Sequence, residues 1–126
     1  MGMGYSAAWA DVIDRRDVKK LCPREYRELI NVIKCEGRTI EEIAQEYGWD
    51  NEIQSDDIGS ALDVLCQAFD AKTGLSLSLC YYDPDKGDRY DTIDEAYWSV
   101  EGVYELTPAG KKYQDIIRRE TYVIYG

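Results

Sequence analysis

At Gly74 the spacing of apolar residues switches from helical to alternating, and that switch excludes both an all-helical and an all-strand architecture. Upstream, Ile58, Leu62, Leu65 and Phe69 form one stripe behind Ser55, Asp56 and Asp57, which is the pattern of a capped helix stopped by the glycine. Downstream, Leu75, Leu77 and Leu79 alternate with Ser76, Ser78 and Cys80, which predicts a strand with one buried face running to Tyr82. A chain that carries both patterns buries them by laying helices on a sheet.

The flanking segments extend this reading. Tyr5 to Ile13 alternates loosely and predicts an opening strand. Pro23 suits a first helical position, and Tyr26, Leu29, Ile30 and Ile33 then recur at helical spacing until Gly37. Thr39-Ile-Glu-Glu42 is a capping-box sequence whose helix is expected to close at Gly48. Asp83 to Asp88 reads as a loop, and Tyr90 to Ile93 as the start of a return strand. Ala96 to Leu106 predicts a strand in which Gly102 marks a bulge or, alternatively, a Glu-Gly hairpin turn. Thr107-Pro108 then opens a last helix through about Arg119, and Thr121 to Tyr125 forms a closing strand. The expected fold is α+β with a mainly antiparallel sheet, in the order β-α-α-α-β-β-α-β, as a single domain over residues 1–126.

Charge narrows the function. The 126 residues hold 25 Asp and Glu against 15 Lys and Arg, a net charge of −10. Residues 39–110 concentrate the acid, with seventeen acidic and three basic side chains, while residues 1–38 carry eight basic and six acidic ones. Such a balance opposes nonspecific attraction to nucleic acid or an anionic membrane. The chain has no histidine, which removes the commonest general base, the commonest metal ligand and every Ser-His or Cys-His pair. Lys111, Lys112, Arg118 and Arg119 are expected on the last helix, where Arg118 and Arg119 would complement its dipole. The four cysteines lack chelating spacing and read as free buried thiols in a reducing cytoplasm. With no apolar run of membrane-spanning length and no exported-protein leader, the expectation is a cytoplasmic protein without metal or cofactor.

Asp83, Asp85, Asp88, Asp91, Asp94 and Glu95 crowd around the predicted turn and offer the oxygen ligands that Ca²⁺ or Mg²⁺ selects. The EF-hand pattern nevertheless fails there, because Asp88 stands where the sharp turn needs glycine and Asp94 where a bidentate Glu belongs. Paired carboxylates also serve glycosidases, but none here is flanked by residues that would raise its pKa. The expectation is a non-enzymatic protein.

The helices 25–37, 39–48 and 55–71 followed by an alternating strand pair resemble the three helices and wing of winged-helix DNA-binding proteins. Thr39-Ile-Glu-Glu-Ile-Ala-Gln-Glu-Tyr-Gly48 is similar to the first helix of their helix-turn-helix, and Tyr104-Glu-Leu-Thr-Pro-Ala-Gly110 to the wing exit of MarR-type regulators. The resemblance implies a transcription regulator. Its recognition helix, however, would present Asp56, Asp57 and Asp63 with no base before Lys72. The segment from Leu75 to Tyr125, with its Gly-Asp-Arg-Tyr-Asp turn and Leu-Thr-Pro-Ala-Gly-Lys-Lys-Tyr helix start, also resembles uncharacterised small acidic proteins of phages and mobile elements, a resemblance that transfers no catalytic residue and favours an anti-defence role of the anti-CRISPR kind. The reading that follows is a non-enzymatic acidic binding protein that occupies a basic surface on a partner, including the nucleic-acid-binding surface of a host protein, without touching nucleic acid or membrane itself; the alternatives are a winged-helix-type regulator and a plain acidic cytoplasmic domain whose charge serves solubility. Its expected contact residues are the acidic turn with Tyr81, Tyr82 and Tyr90 as aromatic anchors, and Asp56, Asp57 and Asp63 on the third helix.

Overall fold

The computed structural model describes residues 5–50, 53, 55–81, 95–102 and 108–125. Over these the chain is α+β, running β1 (Tyr5–Ile13), α1 (Arg15–Leu21), α2 (Pro23–Cys35), α3 (Ile40–Asp50), α4 (Asp56–Thr73), β2 (Ser76–Tyr81), β3 (Ala96–Glu101), α5 (Pro108–Lys112), a 3-10 turn (Gln114–Ile116) and β4 (Ile117–Tyr125). The order agrees with the expected one, with α1 as an additional short helix. The strands form one antiparallel sheet ordered β2-β3-β1-β4, so β1 joins the β2–β3 pair to the carboxy-terminal strand.

Local chemistry explains where the helices begin and end. The Ser55 hydroxyl accepts a hydrogen bond from the Ile58 N–H at 3.3 Å and caps α4, which Gly74 terminates at a φ of 74°. The Thr39 hydroxyl likewise accepts from the Glu42 N–H at 3.2 Å ahead of α3. Pro23 starts α2 at the position where its missing N–H costs nothing.

The sheet presents one face to the helices. Register places Ile13, Trp98 and Leu79 side by side across β1, β3 and β2, and all three are buried. Leu77, Ala96 and Val100 extend this face, and Leu29 and Ile33 of α2, Ile43 of α3 and Ile58, Leu65 and Phe69 of α4 cover it in one apolar cluster. Each large side chain removed from water there contributes about 1.5–3 kcal/mol before ordering entropy is subtracted. Among the described residues, no helix is long and apolar enough to cross a membrane.

Several expectations require correction. The helix at residue 40 does not close at Gly48 but continues to Asp50, because a glycine inside a helix costs only about 1 kcal/mol. The last helix ends at Lys112 rather than Arg119, and β4 begins at Ile117. There the β-branched and aromatic run pairs residue for residue with all nine residues of β1, which outweighs the helical preference of the preceding segment. Arg118 and Arg119 therefore balance no helix dipole. Arg118 bonds Asp14 and Glu120, the latter at 3.0 Å, and Arg119 reaches the buried Asp11 at 3.2 Å. β3 ends at Glu101, and Gly102 follows it at a φ of 96°; residues 103–107 lie outside the described residues.

Candidate functional site

Helix α2 sorts its side chains into three stripes. Tyr26, Leu29 and Ile33 enter the core. Arg24, Arg27 and Lys34 are exposed. Glu25, Glu28, Val32 and Cys35, with Glu36 just past the helix, form the third stripe and line a groove against α4. Its opposite wall is Asp57, Ser60, Ala61 and Val64, and the groove encloses about 440 Å³.

Two contacts fix the helices in antiparallel order. At one end the Ser55 hydroxyl donates to Glu36 Oε2 at 2.5 Å, and at the other Lys72 Nζ donates to the Leu21 carbonyl at 2.7 Å. This arrangement puts Glu36 and Asp57 at one end of the groove and Glu25, Glu28 and Val64 toward the other, with Val32 and Ala61 between them. Val64 is 50 % exposed, a large apolar side chain left in water.

The electrostatics are one-sided. No Lys or Arg lines the groove, and among the described residues none of its four carboxylates forms an ion pair. Arg15 pairs with Glu41 at 3.0 Å and Arg38 with Glu46 at 2.6 Å, while Arg24, Arg27 and Lys34 stand exposed on the neighbouring stripe of α2, outside the groove lining. A concave surface lined by charge of one sign focuses its field outward and attracts the opposite sign. Carboxylates beside aliphatic side chains, with no base in the same lining, supply a binding chemistry for an amphipathic cation.

The residues singled out from sequence fall into three groups. Asp56, Asp57 and Asp63 are exposed on α4, and Asp57 belongs to the groove. Glu95 is exposed immediately before β3, and Tyr81 is half-buried at the end of β2, paired with Ala96 and packed against the core. Tyr81 thus works as a cross-strand packing residue. Asp83, Asp85, Asp88, Asp91, Asp94, Tyr82 and Tyr90 lie outside the described residues. Glu25, Glu28, Glu36 and Val64 escaped the sequence reading, although Glu25, Glu28 and Val32 already recur at helical spacing one residue out of phase with the core stripe.

The thiols differ in reach. Cys22 is buried, Cys66 and Cys80 are half-buried, and Cys35 is exposed, contrary to the expectation that all four are buried. Cys35 lies on the groove stripe of α2 rather than on its core stripe, which explains the difference. Burial, with Asp63 adding to it, pushes the Cys66 thiol up to about 11, and its sulfur donates to the Leu77 carbonyl at 3.3 Å. A thiol reagent at pH 8 is therefore expected to modify Cys35 first, with Cys66 reacting only as the pH approaches 11 or the protein unfolds. Peptide mapping of early adducts checks this, and early modification of Cys66 would contradict it.

No protein-family model, no curated protein and no solved structure matches the chain.

Proposed function

We propose that this protein is a non-enzymatic binding protein that occupies a basic surface of a partner protein through the α2–α4 groove and the acidic face of α4. The supporting observation is that the groove holds four carboxylates with no base among its lining residues, on two helices anchored to one core. Rigid presentation of one charge sign speeds encounter with a basic partner and disfavours acidic ones. A surface built to hold nucleic acid carries that complementary charge, so blocking such a surface, as an anti-defence inhibitor does, is the role this reading favours.

A regulator of winged-helix type is the alternative, and the exposed side of α4 speaks against it. Asp56, Asp63 and Asp70 follow one another at seven-residue intervals along that side, where a recognition helix needs phosphate contacts. The test combines two measurements. In gel shifts at physiological salt, random duplex DNA is expected to remain unbound at micromolar protein. Affinity capture from a cell lysate is expected to retain basic proteins at low salt and to release them at high salt. Micromolar duplex binding would replace this reading with the winged-helix one, and capture insensitive to salt would remove its electrostatic basis.

A further inference from the structure

We infer that the α2–α4 groove takes one turn-repeated face of a basic amphipathic helix, with a cationic residue at each end and an aliphatic residue between them. The inference rests on the proposed function and specifies the occupant of the same site. Its basis is the order of groups along the groove. Glu36 and Asp57 form one acidic end, Glu25 and Glu28 the other with Val64 beside them, and Val32 and Ala61 make the apolar stretch that separates the two.

Helix geometry supplies the ruler. Glu28 and Glu36 are eight residues apart, so the rise along α2 separates them by about 12 Å. A partner helix with basic residues seven or eight positions apart spans about 10–12 Å and directs both to the same side. The residue four positions after the first base then falls between the two ends, over Val32 and Ala61. An extended peptide would advance about 3.3 Å per residue and exhaust the groove within four residues, leaving most of its side chains without a wall. A helix laid against two antiparallel helices also buries the exposed Val64, and Lys or Arg stems cover apolar surface while their heads reach the carboxylates. A free small cation would satisfy the ends and leave these apolar side chains in water. The complementarity in both charge and apolar position therefore points to a helix of a partner protein.

The experiment uses the full chain and two fluorescent peptides of identical composition in an alanine-rich helical host. One carries Lys-x3-Leu-x3-Lys, and the other the same residues scrambled so that leucine falls on the opposite face. Fluorescence anisotropy at low salt is expected to show the patterned peptide binding at least tenfold more tightly than the scrambled one. Ala61→Gln, which puts a polar amide between the acidic ends without changing the charge, is expected to abolish that preference with circular dichroism confirming the fold, and a folded variant that keeps the preference would overturn the inference. Equal, salt-sensitive binding of both peptides, weakened alike by Glu28→Gln and Asp57→Asn, would overturn the helical occupant and leave the acidic docking function standing. No binding of either peptide would also overturn the inference, while the docking function would then be judged on the captured partner alone.

Discussion

Replacing Trp98 with alanine is expected to cost about 3–5 kcal/mol, a large share of the stability of a domain of this size. Trp98 is fully buried at the middle of the row that runs from Ile13 to Leu79, and the Tyr26 ring approaches it at 6.3 Å with a tilt of 58°. Truncation removes the largest apolar surface in the core and leaves a cavity bounded by strands that cannot close inward without breaking ladder hydrogen bonds. The melting temperature is expected to fall by on the order of 10–20 °C. Trp98→Phe retains an aromatic ring in the same row and should cost much less. Denaturant unfolding of the two variants checks the order. A loss below about 1 kcal/mol for alanine would contradict the placement of Trp98 at the centre of the core.

The parts of this fold that are legible in sequence are those governed by neighbours in the chain. The stripe from Ile58 to Phe69, the Ser55 cap, the Gly74 stop and the Leu75 to Leu79 alternation are all local, and the structure keeps each of them. The carboxy-terminal stretch departs from its expected helix because a distant partner decides its state. The β-rich run from Ile117 pairs with β1, more than a hundred residues away in sequence, and no local propensity encodes that pairing. The short α1 lacks a long apolar period, since only Val18 of its seven residues is buried.

The same division explains what is visible of the candidate site. Acid on α4 is legible because Asp56, Asp57 and Asp63 fall within the first eight residues of a recognisable helix. Glu25, Glu28 and Glu36 come from a segment that is basic on balance, and only the packing of α2 beside α4 separates their stripe from Arg24, Arg27 and Lys34. A count of charges along the chain cannot register a division that runs around a helix.

The second large effect belongs to that stripe. A variant carrying Glu25→Gln, Glu28→Gln, Glu36→Gln and Asp57→Asn keeps side-chain size and leaves the buried cluster untouched, so it is expected to fold. The amide that replaces the Glu36 carboxylate can still accept from the Ser55 hydroxyl, and the loss of the Asp57 charge from the first turn of α4 costs a few tenths of a kcal/mol. Removing four charges worth about 0.5–1 kcal/mol each to a basic partner weakens association by about 2–4 kcal/mol, or roughly thirtyfold and more. Affinity capture with this variant, beside one in which Asp83, Asp85, Asp88 and Asp91 are changed to Asn, tests the assignment of the site most directly. The groove variant is expected to lose the salt-sensitive partner while the turn variant retains it. Undiminished capture by a folded groove variant, with loss in the turn variant, would contradict the account and move the binding face to residues 83–94.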